Sequence, residues 1–207
     1  MKLNVKICGF THEEDALLAE DLGASAIGFV FFQKSPRYIT PEDAGKISDK
    51  LGPFIARVGV FVDEKPDTVK KTVKTARLTA VQLHGTENTE YIDLLEGIPV
   101  IKAFRVGNDF EPRDLERYKN VNTFLLDTYV KNHYGGTGIT FDWSKANKCN
   151  KYGRIIIAGG LNESNATQAV ECVHPWGIDV SSGVEKSPGL KDPEKMKALF
   201  RSLEIRE

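Results

Sequence analysis

The chain has 207 residues, 41% of them hydrophobic and 28% charged, with a formal net charge of −1, a composition that suits one well-cored soluble domain. Lys and Arg are interspersed with Asp and Glu, so nucleic acid is not an expected partner, and no apolar run reaches the roughly 18 residues of a membrane span. Three cysteines, Cys8, Cys149 and Cys172, lack paired spacing, which points to neither a disulfide framework nor a metal site and suits a cytoplasmic protein.

From the N-terminus, short apolar segments alternate with helical patterns. Residues 3–8 read as a strand ending on Cys8-Gly9, and residues 11–23 as a helix with Thr11 as N-cap, acidic Glu13-Glu14-Asp15 in its first turn and Gly23 at its close. A second strand at 24–31 leads through the loop Ser35-Pro36-Arg37-Tyr38 to a helix opened by Thr40 as N-cap and Pro41 as first residue. Residues 54–62 and 66–76 form the third strand and helix, and 80–85 and 89–96 the fourth pair. The fifth strand, 99–104, precedes a weaker helical stretch around 112–118, and the sixth, 122–127, precedes a long glycine-rich loop. A seventh strand at 154–160 with a helix at 163–172, an eighth strand at 176–180 and a last helix at 192–203 complete the series.

Eight strands in βα alternation, rich in Val, Ile and Phe, predict parallel strands covered by helices. The fold class is α/β, a single (β/α)8 TIM barrel over 1–207, at about 26 residues per unit near the lower size limit of that fold. An open doubly wound sheet is the alternative, but the first turn has no G-x-G-x-x-G fingerprint. In a barrel the C-terminal strand ends converge on one face, which gathers Cys8, His84, Asp127, Gly159-Gly160 and Ser181-Ser182-Gly183.

The turns after the seventh and eighth strands supply small residues and backbone N–H groups, so Gly159, Gly160, Ser181, Ser182 and Gly183 form a candidate phosphate cradle, with Ser182 and Gly183 opening a short helix toward the anion. Taken one at a time these turns are also ordinary tight turns; their adjacency makes the phosphate reading. Asp127 is a carboxylate at the tip of the apolar Phe124-Leu125-Leu126, placed either for proton transfer or as an N-cap or partner of a loop N–H. Cys8 is either an accessible thiol at a strand end or a small buried hydrophobe. Residues 134–143, long for a βα connection and glycine-bearing, read as a lid or binding loop.

The motifs Lys6-Ile7-Cys8-Gly9, Ser35-Pro36-Arg37, Gly59-Val60-Phe61-Val62, Val81-Gln82-Leu83-His84-Gly85, Leu125-Leu126-Asp127, Gly135-Gly136-Thr137-Gly138 with Phe141-Asp142-Trp143, Ala158-Gly159-Gly160-Leu161 and Asp179-Val180-Ser181-Ser182-Gly183-Val184-Glu185 occur in this order. Through them the chain resembles, nearly end to end, the phosphoribosylanthranilate isomerases of tryptophan biosynthesis. The resemblance implies an Amadori rearrangement of a phosphosugar substrate without a cofactor. It makes Asp127 the acid and Cys8 the base, gives Arg37 the anthranilate carboxylate, puts His84 near the substrate and places Asp179 to hold sugar hydroxyls. For Arg37 a loop-anchoring ion pair, for His84 a core position and for Asp179 a helix cap are the structural alternatives. A thiol of ordinary pKa, about 8.5, needs a positive field to act as a base; Lys6, on the same strand face, supplies one or serves as a salt-bridge partner in the barrel interior. Two departures stand out: the polar stretch Tyr129-Val130-Lys131-Asn132-His133, and Ile139 where a charged residue is common. Family members occur as monomers and homodimers.

Three rivals are weighed. The related isomerase of histidine biosynthesis is expected to carry two aspartates and a twofold repeat, whereas this chain has Cys8 on its first strand and no half-chain repeat. Indole-3-glycerol phosphate synthase needs an N-terminal extension and a lysine acid. A non-catalytic phosphosugar-binding barrel would have no use for both Cys8 and Asp127.

Overall fold

The computed structural model describes residues 3–107, 109–127 and 143–204. Eight parallel strands close into a barrel in chain order: β1 Asn4–Cys8, β2 Ala26–Val30, β3 Ala56–Phe61, β4 Ala80–Leu83, β5 Val100–Arg105, β6 Thr123–Asp127, β7 Arg154–Ala158 and β8 Gly177–Val180. The predicted (β/α)8 barrel is therefore the observed one. Closure is made by β1 against β8, with Asn4 opposite Gly177 and Lys6 opposite Asp179. Among the described residues no helix is long and apolar enough to cross a membrane.

Around the barrel lie α1 Glu13–Asp21, α2 Pro41–Ser48, α3 Pro66–Thr75, α4 Thr89–Asp93, α5 Trp143–Cys149, α6 Ala166–Val173 and α7 Pro193–Glu204. Strand alternation divides the side chains into two layers. Val5, Ile7, Ile27, Phe29, Phe61, Val81, Leu83, Phe124, Leu126, Ile155 and Ile157 point outward and pack under the helices. Ala103, Leu125, Ile156 and Ala158 fill the barrel interior. The outer layer is the larger and continuous one, which is why the strands read as runs of large β-branched and aromatic residues.

Local signals set most helix ends. Thr40 accepts from Asp43 N at 3.1 Å and Pro41 opens α2 as expected. Thr11 is a correction: α1 starts one residue later, with His12 at the cap and no side-chain cap bond. The Thr11 hydroxyl instead donates to Gly189 O at 2.7 Å, a partner 178 positions away that no local pattern reveals. The weak fifth unit is a 3-10 turn, Pro112–Arg117. Two elements escaped the sequence reading. One is α5, whose described buried apolar positions are Ala146 and Cys149, a stripe too thin to register. The other is a hairpin after β8, β9 Glu185–Ser187 and β10 Leu190–Lys191, turned by Pro188-Gly189. The expected lid, residues 134–143, falls outside the described residues except for Trp143, as do residues 129–133 and Ile139.

One buried polar cluster holds the loop that carries His84. Lys102 and Glu87 are almost wholly enclosed and pair at 3.0 Å. Lys102 Nζ also donates to Gly85 O at 2.8 Å, while Glu87 accepts from Gly85 N at 3.0 Å and from Asp63 N at 2.8 Å. The pair thus clamps both backbone groups of Gly85 and ties the loops after β3 and β4. Lys102→Met should cost about 3–5 kcal/mol by leaving the Glu87 charge buried without its cation, and Glu87→Gln clearly less, because an amide oxygen still accepts. Urea denaturation of the two variants checks this; equal costs would show that charge is not the determining feature.

Candidate active site

The C-terminal rim of the barrel brings together the residues at the ends of β1, β4, β6, β7 and β8. Cys8 ends β1 as a buried free thiol. Its space is provided by Gly28 on the neighbouring strand, where a Cβ would stand 2.7 Å from the Cys8 sulfur. Gly9 then turns the chain with φ +85°, and a Cβ there would meet Arg37 Cδ at 2.6 Å and Ser181 Oγ at 3.3 Å. Three loops therefore meet directly above the thiol, and only glycine satisfies both the backbone angle and the contact.

Electrostatics around the thiol are mixed. Burial pushes the Cys8 pKa up; the Lys6 ammonium pulls it down without cancelling the shift, and the Asp179 carboxylate adds to it. Lys6, two residues back on the same strand face, pairs with Asp179 Oδ1 at 2.9 Å, both side chains being buried. Burial opposes the Lys6 charge, but Asp179 and Cys8 outweigh it and hold its pKa above the ordinary value. Lys6 is therefore both the interior salt-bridge partner and the cation beside the thiol. Asp179 is no helix cap: one of its oxygens is committed to Lys6 inside the barrel.

On the other side of the rim, Asp127 Oδ2 lies 3.3 Å from His84 Nε2, and Gln82 Nε2 lies 3.1 Å from His84 Nδ1. His84 is thus held between a strand neighbour and the carboxylate, each about one-fifth to one-quarter exposed. In the sequence Gln82 stands only within the motif Val81-Gln82-Leu83-His84-Gly85; its i, i+2 spacing to His84 is the signal that both face inward.

The turns expected to cradle a phosphate follow β7 and β8 directly. Gly159 and Gly160 both have positive φ, 95° and 68°, and among the described residues no atom beyond its chain neighbours lies within 4 Å of where a Gly160 Cβ would be. A short 3-10 helix, Ser182–Val184, opens after β8. The two turns touch: a Gly183 Cβ would overlap Leu161 O. Ser181 is different from its neighbours, because its hydroxyl donates to Cys8 O at 3.0 Å and ties the eighth loop to the first.

Arg37 makes the loop-anchoring pair that was its alternative role. Its Nε and Nη2 donate to Glu185 at 2.9 and 2.6 Å, and Lys191 donates to the same carboxylate at 2.8 Å. Neither Glu185 nor Lys191 was assigned a role from sequence. Glu185 stood in the motif after the eighth strand, but its partners come from other loops. Among the described residues no group of His, Cys, Asp and Glu has the makings of a metal site.

Residues 5–202 match the family model for N-(5'-phosphoribosyl)anthranilate isomerase. The chain belongs to this isomerase family. It is 51% identical to the N-(5'-phosphoribosyl)anthranilate isomerase of Citrifermentans bemidjiense over 95% of this chain and 94% of that one. The crystal structure of phosphoribosyl anthranilate isomerase from Thermotoga maritima superposes with a TM-score of 0.88 at 45% identity, covering 98% and 99% of the two chains. A structure of phosphoribosyl anthranilate isomerase in complex with reduced 1-(o-carboxyphenylamino)-1-deoxyribulose 5-phosphate is similar at a TM-score of 0.85 and 42% identity, covering 98% and 99%.

In this isomerase the charges flanking Cys8 act in opposite directions, which gives a signed test. The thiol should titrate above the ordinary value of about 8.5, Asp179→Asn should lower it and Lys6→Met should raise it further. The pH dependence of the Cys8 13Cβ resonance reports this directly. A thiol already ionised at neutral pH in the wild type would contradict the dominance of burial.

Proposed function

We propose that this chain converts N-(5'-phosphoribosyl)anthranilate to 1-(2-carboxyphenylamino)-1-deoxyribulose 5-phosphate in tryptophan biosynthesis, with Asp127 as general acid and Cys8 as general base. The observation that carries the reading is that a thiol and a carboxylate end β1 and β6 on the same rim as the paired glycine turns after β7 and β8. A protonated Asp127 gives its proton to the ribose ring oxygen as the C1′–O bond breaks, and the anilino nitrogen lone pair forms the C1′=N bond of a protonated Schiff base. The Cys8 thiolate, a minor form at neutral pH because burial raises the thiol's pKa and favoured by the Lys6 ammonium, then removes the C2′ proton, and those electrons form C1′=C2′ and return the C=N pair to nitrogen. Protonation at C1′ and loss of the O2′ proton complete the ketone. Hydrogen moves within the substrate and its acid–base partners, so no external oxidant or reductant enters the balance.

In this reading Arg37 takes the anthranilate carboxylate and the backbone of Gly159, Gly160, Ser182 and Gly183 the phosphate, with Ser181 locking that loop to Cys8. His84 and Asp179 serve the ribose, His84 also orienting Asp127. The reading includes one barrel domain over 1–207, a cytoplasmic setting and no nucleic-acid partner, in keeping with a net charge of −1.

We also infer a homodimer through the N-terminal end of the barrel. Phe54, two residues before β3, is fully exposed at 101%. A cavity of about 620 Å³, lined by Ala56, Val58, Val100, Ile101, Ile156 and Trp176, opens at that end and is of a size to take an aromatic ring. The Thermotoga maritima relative is described as dimeric. Phe54→Glu should give a monomer by sedimentation equilibrium; a monomeric wild type at micromolar concentration would overturn the dimer.

Turnover of freshly prepared phosphoribosylanthranilate, followed by fluorescence, tests the activity. Cys8→Ala should nearly abolish kcat with KM little changed, and Cys8→Ser should be almost as damaging because a hydroxyl is a far weaker base. Asp127→Asn should lose kcat rather than KM. A kcat for Cys8→Ala within about threefold of wild type would end the base assignment, and a loss wholly in KM for Asp127→Asn would make Asp127 a binding residue.

A further inference from the structure

The Arg37 guanidinium is held along one edge. Nε donates to both Glu185 oxygens, at 2.9 and 3.2 Å, and Nη2 donates to Oε2 at 2.6 Å, while Nη1 makes no hydrogen bond among the described residues. A guanidinium has five N–H groups in one plane, so fixing the Nε/Nη2 edge fixes where the Nη1/Nη2 edge points. That second edge carries two parallel N–H bonds, the geometry that matches a carboxylate. Arg37 is also the most exposed member of the group: its side chain is 23% exposed, against 4% for Glu185.

A neutral Arg–Glu pair would attract an incoming carboxylate poorly. Lys191 removes that difficulty. Its ammonium, wholly buried, donates to Glu185 Oε1 at 2.8 Å, so two cationic groups share one carboxylate; burial lowers the Lys191 pKa, and Glu185 acts against that shift to hold the charge. The same ammonium donates to Cys8 O at 2.6 Å and lies near Ser181 O at 3.4 Å. Burial alone would raise the Glu185 pKa, but Arg37 and Lys191 hold its carboxyl below the usual range. Gly189 N, at the turn of the β9–β10 hairpin, also donates to Glu185 at 3.3 Å.

We propose that Glu185 and Lys191 are positioning residues for substrate recognition: Glu185 aims the free edge of Arg37 at the substrate carboxylate, and Lys191 restores the positive charge that Glu185 takes away while fixing the Cys8 carbonyl in the same network. The inference rests on the reading of Arg37 as the carboxylate anchor. It adds an outer pair of residues that act through Arg37, contributed by the hairpin after β8.

A double-mutant cycle on the full-length enzyme tests it, with Arg37→Ala, Glu185→Gln, the double variant and wild type assayed for KM, kcat and inhibition by inorganic phosphate. Glu185→Gln should raise KM roughly tenfold, with kcat and phosphate inhibition nearly unchanged. In the Arg37→Ala background the same change should shift KM by less than about twofold, since there is no fork left to aim. Equal KM effects in both backgrounds would show a merely structural role and overturn the proposal. A wild-type KM in Arg37→Ala would instead sink the reading of Arg37, and the positioning role with it, by a different signature. The Arg37 15Nε–1Hε resonance should be shifted in Glu185→Gln; an unshifted resonance also overturns the proposal. If Glu185→Gln does not fold, Glu185→Asp carries the same cycle, because it keeps the charge but withdraws the carboxylate by one methylene. Lys191→Met should raise KM in the Arg37-containing enzyme and leave phosphate inhibition in place; an unchanged KM would remove Lys191 from the proposal.

Discussion

The constraint on which the molecule depends is the closure of β1 onto β8, in which Lys6 falls opposite Asp179 and the two side chains pair at 2.9 Å within the barrel. This register places the first and last strands side by side, although their residues are more than 170 positions apart. Any slip of one residue would turn Lys6 outward into the apolar layer and Ile7 inward. A buried ion pair adds little net stability over an apolar pair, but it strongly disfavours arrangements that separate its members. Its contribution here is to select one register, and that register sets Cys8 beside Ser181, with the Ser181 hydroxyl on the Cys8 carbonyl.

From closure follows the division of labour between the two ends of the barrel. The strand ends where the chain exits carry the thiol, the imidazole–carboxylate pair and the glycine turns. Beneath them the interior is filled by Ala103, Leu125, Ile156 and Ala158 and by the Lys6–Asp179 pair, so the charges that tune Cys8 belong to the scaffold rather than to loops. The loops, in turn, are fastened by buried polar groups: Lys102 and Glu87 under the fourth, Lys191 and Glu185 under the first, second and eighth. In each case an ammonium satisfies backbone carbonyls that no regular hydrogen-bond ladder reaches. Buried lysines thus do at the rim what strand pairing does in the barrel wall.

This arrangement also sets what the rim requires at its glycines. Gly9 and Gly28 bring Arg37 and Cys8 into contact with the backbone, and Gly183 lets the seventh and eighth loops touch. Gly160 differs, since among the described residues nothing crowds it and its backbone angle is what calls for glycine. Packing against a neighbouring strand or loop requires glycine at Gly28 and Gly183, the turn itself requires it at Gly160, and both do at Gly9.

Length, period and punctuation in the sequence determined the eight strands, their order and the face on which Cys8, His84, Asp127 and the two glycine turns would gather. Those features are local: an apolar run, a Thr40-Pro41 start or a Gly-Gly stop is decided by neighbouring residues. The partners were decided only by tertiary structure. Thr11 has the chemistry of a cap, yet its hydroxyl goes to Gly189; Arg37 has the chemistry of a carboxylate anchor, yet one of its edges goes to Glu185. The same holds for α5 and the β9–β10 hairpin, which have too few apolar positions to announce themselves and are held by contacts with the rest of the fold. A side chain's type is written in the sequence, but which of several satisfactory partners it takes depends on distances that exist only once the barrel has closed.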